Sequence, residues 1–98
     1  MIPVDKQAER LQIYYRDGGI CQYCGRPVGI NEFQLAHRIA RVKWAIKKYG
    51  LEVIEHPLNK ATTHAGRCND GVLVTFKPVQ REKLVAEILE AIRKSDTR

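Results

Sequence analysis

The sequence predicts a small α+β domain, pinned by a structural metal ion and carrying a helix at each end. Three observations predict it. Cysteines and a histidine gather in two tight groups far apart in the chain, Cys21 with Cys24 and His64 with Cys68. Short segments of strand-like character lie between those groups. A 3.6-residue apolar stripe runs through the C-terminal segment.

Taken in order, residues 3–17 read as a helix. Pro3 suits a first helical position, and Ala8, Leu11, Tyr14 and Tyr15 share a face at helical spacing. Asp17-Gly18-Gly19 ends it. Ile20 to Gly29 is a tight turn region around Cys21-Gln22-Tyr23-Cys24-Gly25. Phe33 to Ile39 reads as a strand, with Phe33, Leu35 and His37 on one side and Gln34 and Ala36 on the other. Arg41 to Gly50 reads as a short helix, with Val42, Ala45 and Ile46 as its apolar stripe and Gly50 as its stop. Leu51 to Ile54 is an apolar run of strand type, broken by His56-Pro57, and Leu58 to Thr63 is a further strand. His64 to Asn69 is a glycine-containing turn that feeds a short helix. Pro78 opens a last helix to Lys94, whose stripe of Leu84, Val85, Ile88, Leu89 and Ile92 is core-packing in character.

With 98 residues and 11.2 kDa, the chain is one domain, 1–98, with room for only a thin core. That size excludes an enzyme with a separate cofactor domain. No apolar run approaches the ~20 residues of a membrane span. Charge follows Met1-Ile2-Pro3-Val4 at once, unlike a signal peptide, so a cytoplasmic location without membrane contact is expected. The net charge is +6, and its distribution is uneven. From Arg38 to Arg67 there are seven basic residues and two acidic ones, so this stretch holds five of the six net charges. A field of that sign favours a polyanion, nucleic acid foremost.

Three cysteines cannot all pair within one chain, and thiols stay reduced in a cytosolic setting. Cys21-x-x-Cys24-Gly25 has the form of a zinc knuckle. Two intervening residues let both sulfurs meet one ion at ~2.3 Å, and the glycine permits the sharp turn. His64-Ala65-Gly66-Arg67-Cys68 supplies a second pair. Together they make a closed Cys3His set, which suits a structural Zn2+ rather than a catalytic one, and a domain with little core gains from such a staple.

The residues around this set follow an order. Ala36-His37-Arg38-Ile39 comes after the first cysteine pair, Asn59 comes later, and Asn69 directly follows the last zinc ligand. This order resembles the HNH endonuclease family in its zinc-knuckle form, over about residues 20–74. The resemblance implies a ββα-metal finger, with His37 on the first strand, Asn59 entering the second and Asn69 opening the helix. Three features depart from the family pattern. Ala36 stands where Asp or His usually binds the catalytic ion, the second zinc pair is His-x3-Cys, and a helix is inserted between His37 and Asn59.

What the resemblance implies chemically is metal-dependent hydrolysis of DNA phosphodiester bonds, leaving 5′-phosphate and 3′-hydroxyl ends. An imidazole, which ordinarily titrates at about 6.5, suits a general base at neutral pH, so His37 is the expected base. Asn59 would hold His37 or its loop by hydrogen bonds. Asn69 would offer an amide oxygen to Mg2+ or Mn2+, with His56 or Asp70 as further candidate ligands. Arg38, Arg41, Lys43, Lys47, Lys48 and Arg67 are the candidate phosphate contacts, and no groove-reading helix is evident, so weak sequence preference is expected. One site without a repeat implies nicking by a monomer or weak dimer. Two other readings stand beside this one: a non-catalytic, zinc-stabilised nucleic-acid-binding module, and a structural zinc domain that binds a protein.

Overall fold

The computed structural model describes residues 4–96, and Pro3 lies outside them. Its helices are α1 (Val4–Arg16), α2 (Lys43–Tyr49), α3 (Leu51–Ile54), α4 (Arg67–Gly71) and α5 (Pro78–Asp96), and its strands are β1 (Gln34–His37) and β2 (Lys60–Thr63). The strands form a two-stranded antiparallel hairpin in which Gln34 faces Thr63, Ala36 faces Ala61 and His37 faces Lys60. Strand, strand and helix therefore follow one another as β1, β2 and α4, with α2 and α3 inserted between the strands. No helix among the described residues is long and apolar enough to cross a membrane.

β2 is buried along its whole length, although its sequence is Lys-Ala-Thr-Thr. It is buried because α1 covers it and its polar atoms find partners there. Lys60 Nζ reaches Glu9 at 2.6 Å and Glu55 at 3.5 Å. The Thr62 N–H donates to Asp17 Oδ2 at 3.0 Å. A buried polar group costs little only when it is bonded in this way. Burial opposes ionisation of Asp17, but hydrogen bonds from Arg16 and Thr62 outweigh it and hold the carboxyl below its ordinary value. A carboxyl lowered on folding stabilises fully above its unfolded value of about 3.8 and loses that contribution as pH falls through the lower folded value. Asp17→Ala is therefore expected to cost about 1–3 kcal/mol near neutral pH, leaving the Thr62 N–H unpaired. Thermal melts of the two zinc-loaded proteins near neutral pH should show that gap. Equal melting temperatures would contradict this.

α1 does not present the face expected from its spacing. Ile13 is buried, while Ala8, Leu11 and Tyr15 are exposed. Polar anchors choose the face: Arg10 donates to the Phe33 carbonyl at 2.6 Å and lies over the Phe33 ring, and the Tyr14 hydroxyl donates to the Val28 carbonyl at 2.7 Å. Tyr14 and Phe33 also stack at 4.6 Å between centroids.

The main core lies beyond the end of β1, around α2, α3 and α5. Ile39, Ala45, Val53, Ile54, Val74, Leu84, Val85 and Ile88 form one buried cluster, with Ile46, Tyr49 and Ile92 packed against it. α5 joins it through the expected stripe, except that Leu89 is half exposed. α2 likewise contributes Ala45 and Ile46, but Val42 faces outward. Leu51 to Ile54 is a helical turn, not a strand: Ile54 N–H donates to Gly50 O at 3.1 Å and Glu55 N–H to Leu51 O at 2.8 Å. A four-residue apolar run has no period long enough to separate the two states. Here the need to bury two adjacent residues, Val53 and Ile54, against one core decides for helix. The two strands are also shorter than expected, because a 3-10 turn, Pro57–Asn59, replaces the first part of the second.

Candidate metal centre and active site

The knuckle is held by the hairpin. Gln22 N–H donates to Thr62 O and Cys21 N–H to Arg26 O, both at 2.9 Å. Gly25 closes the turn with its N–H on Cys21 O at 2.9 Å and φ at +77°, a conformation that favours glycine. The second pair arrives at the end of β2 and the start of α4. Knuckle and helix then meet at Tyr23 and Gly71, where a Cβ on Gly71 would lie 2.3 Å from the tyrosine ring. Only glycine permits that approach.

This brings Cys21, Cys24, His64 and Cys68 together, with their ligand atoms all within 4.8 Å of one another. Among the described residues it is the one group of three or more His, Cys, Asp or Glu side chains close enough to share an ion. The donor chemistry fits zinc. Cys24 Sγ and His64 Nδ1 are 3.4 Å apart, close to the ~3.5–3.8 Å edge of a tetrahedron with ~2.0–2.3 Å bonds. His64 Nε2 lies 3.2 Å from the Pro27 carbonyl. A proton on Nε2 satisfies that carbonyl and leaves Nδ1 with its lone pair toward the sulfurs, the outer contact that orients a ligating histidine.

Cys21 is already biased toward a cation. Burial opposes ionisation of Cys21, but the N–H groups of Cys24, His64 and Tyr23 point at its sulfur and bring its pKa down to about 6. Cys68 moves the other way, to about 11, through burial and the neighbouring Cys21 and Cys24 sulfurs. Without a cation the cluster resists holding several negative charges together, and a divalent ion removes that resistance.

His37 ends β1 on the side of the hairpin that faces α1. Its Nε2 lies 3.2 Å from Glu55 Oε1. Glu55 follows α3, so the inserted helices are what deliver this carboxylate. It also meets Arg41 at 3.1 Å and Lys60 at 3.5 Å. Burial opposes its ionisation, but His37 and Lys60 outweigh that and lower its pKa. His37, Glu55, Arg41 and Lys60, with Lys6 and Glu9, line an open cavity of about 760 Å³. Glu55 was missed in the sequence because residues 51–54 read as a strand, which gave the residue after them no defined direction.

Asn59 is fully buried and clamps the exit of β1. Its Oδ1 accepts from Ile39 N–H at 2.8 Å, and its Nδ2 donates to Ile39 O at 3.1 Å and Ile54 O at 2.7 Å. It thus holds the loop after His37, and holds α3 with it. Asn69 lies elsewhere. Its Nδ2 donates to Gln34 Oε1 at 3.3 Å, and Gln34 and His37, three apart on a strand, point to opposite faces. Ala36 is buried against Ala61 on the Gln34 face.

His56 caps the 3-10 turn, its Nδ1 accepting from Leu58 N–H at 3.1 Å. Burial and Lys60 favour its neutral form over the opposing pull of Glu52 and Glu9, and its pKa is lowered. Asp70 is exposed on α4. Of the candidate phosphate contacts, Arg41, Lys43, Lys47, Lys48 and Arg67 are exposed. Arg38 lines a second cavity of about 440 Å³, shared with Arg16, Tyr23 and Gly71 on the α4 side.

No family model, curated protein or solved structure matches this chain.

Proposed function

We propose that the chain is a zinc-stapled endonuclease of HNH type that hydrolyses DNA phosphodiester bonds, with its ββα-metal finger formed by β1, β2 and α4. The observation that carries this reading is the His37–Glu55 pair in a cavity ringed by Lys6, Arg41 and Lys60. Glu55 accepts the Nε2 proton, which fixes the ring and leaves Nδ1 to take a proton from the attacking water. The lysines and arginine attract and hold the phosphate that the water attacks. Asn59 keeps the strand exit rigid, so His37 stays in place. Asn69 lies on the opposite face of the hairpin from His37, so Mg2+ or Mn2+ at this cavity would be held mainly by water and phosphate oxygens and would supply charge to the phosphate and departing oxygen.

A second reading has an observation of its own. Ala36 offers no ligand, and the Asn69 amide is paired with Gln34 rather than with a carboxylate. Those features favour a zinc-stabilised nucleic-acid-binding module without catalysis. Supercoiled plasmid incubated with the zinc-loaded protein and Mg2+ or Mn2+ separates the two: metal-dependent cleavage supports the nuclease, and binding without cleavage supports the module.

Both readings require DNA binding of electrostatic origin. If about 3–5 phosphates are contacted, log K is expected to fall with log salt at a slope of roughly −3 to −5. Lys47 and Lys48 are exposed on α2, so their joint replacement by Glu should lower affinity and flatten the slope without affecting the fold. Affinity that is insensitive to salt would contradict the assignment.

A further inference from the structure

The basic helix α2 carries an aromatic feature that phosphate contacts do not explain. Trp44 stands in its first turn and is 40% exposed, and Phe76, in the turn before α5, is 83% exposed. Their ring centroids lie 6.2 Å apart at 40°. Arg81 borders the pair, its guanidinium 5.3 Å from the Trp44 ring centroid. That guanidinium is fixed, donating to the Tyr49 hydroxyl at 2.8 Å and to the Thr75 carbonyl at 2.7 Å. Glu82, next to Arg81, is engaged by Tyr49 and Arg81. Lys43, Lys47 and Lys48 are exposed on the same helix as Trp44, and Lys77, also exposed, follows Phe76 in the chain.

We propose that Trp44 and Phe76 form a stacking platform for an unpaired base, so that the favoured substrate is single-stranded DNA or DNA with an unpaired segment. This deepens the nucleic-acid reading and rests on it, but not on cleavage. Exposed aromatic rings set among cations are the pattern by which proteins hold single strands: the rings take the bases and the cations follow the backbone. The gap of 6.2 Å falls short of the ~7 Å that a base between two parallel rings needs, so the base stacks across the exposed surface of the Trp44–Phe76 pair rather than between the rings. A second copy of the chain fits this surface poorly, because a symmetric contact would set the same lysines against each other. The platform is also tied to the strand that carries His37. Thr75 Oγ1 accepts from Ala40 N–H at 2.8 Å, and Val74 N–H donates to Arg38 O at 2.7 Å. The turn that carries Phe76 is therefore fastened to the exit of β1.

Trp44 is the only tryptophan in the chain, so its emission reports on the platform directly. Zinc-loaded protein is titrated, without added Mg2+ or Mn2+, with an oligothymidylate of about 12 nucleotides and with a hairpin duplex, at one low salt concentration. The oligothymidylate is expected to quench Trp44. Phe76→Ala, at a side chain with little packing to lose, should weaken oligothymidylate binding about ten-fold and change duplex binding less than two-fold. Oligothymidylate binding without quenching, or equal losses on both probes, would overturn the platform and leave the DNA reading standing. Binding of neither probe would overturn both. Emission that changes with protein concentration alone would assign the rings to self-association instead, and would also overturn the proposal.

Discussion

Cys24→Ser is expected to abolish cooperative unfolding, and with it the folded domain at ordinary temperatures. Cys24 is the informative ligand because its side chain is exposed, whereas Cys21 is fully buried. Replacing Cys21 would disturb packing as well as coordination, but Ser at position 24 changes little beyond the donor atom. A structural zinc of this kind can supply roughly 10 kcal/mol or more of folding free energy. A domain of this size has a net stability of only about 5–15 kcal/mol. Removing the ion therefore costs as much as the fold holds in reserve. The reason lies in what the four ligands join: the knuckle before β1, the end of β2 and the start of α4. The main core sits around α2, α3 and α5 and does little to fasten the knuckle. The expected metal content is about one zinc per chain, and strong chelator should reproduce the Cys24→Ser behaviour. Protein purified without zinc, with a melting curve unchanged by chelator, would contradict the assignment.

The Cys3His set was legible because its spacing is a local constraint and its chemistry is specific. Cys21-x-x-Cys24-Gly25 requires a turn whatever the rest of the chain does, and His64 and Cys68 complete the donors. α5 was legible for a different reason, since its stripe is long enough to fix a period. Residues 51–54 were not legible, because four apolar residues fit strand and helix equally and only the core around Ile54 chooses. The face of α1 was hidden too. Its apolar spacing pointed to Ala8, Leu11, Tyr14 and Tyr15, of which Tyr14 alone packs inward, and Arg10, Tyr14 and Lys60 set the docking through hydrogen bonds and ion pairs to groups remote in sequence.

The site divides along the same line. Asn59 stood out in the sequence, and the loop it clamps is the one after His37. The partner of His37 did not stand out, because Glu55 reaches it only through the inserted helices. Asn69 was read as a neighbour of His37 in function, yet its amide bonds to Gln34 across the hairpin. Order along the chain carries no information on which face of a strand a residue takes once its register is unknown.

His37→Ala is expected to lower the rate of plasmid nicking by ~10²-fold or more, with zinc content and folding unchanged. The fold should tolerate it. The His37 side chain is about a quarter exposed and meets Glu55, and Glu55 keeps Arg41 and Lys60 as partners when the imidazole is gone, so no buried charge is orphaned. Loss of rate then reflects loss of the base and not of structure, and duplex binding measured alongside should be unaltered. Glu55→Gln retains an acceptor for the ring but not the charge that favours its protonated form, and should reduce the rate by less. The course of the reaction is a further check. The chain has one His37 and one Asn59 with no repeat of the segment that carries them, and the α5 stripe is buried in its own core at Leu84, Val85 and Ile88 instead of facing a second copy. One site cuts one strand, so supercoiled plasmid should pass first to open circle and only slowly to linear form, with Mg2+ or Mn2+ required. Ala36 supplies no ligand, so metal binding should be weak, and Mn2+, higher in the affinity order, should outperform Mg2+. Linear product without an open-circle intermediate would remove the single-site account. Full activity in His37→Ala would remove His37 from the chemistry altogether, and an intact salt-dependent affinity in a protein that never cleaves would leave the zinc-stapled binding module as the reading that stands.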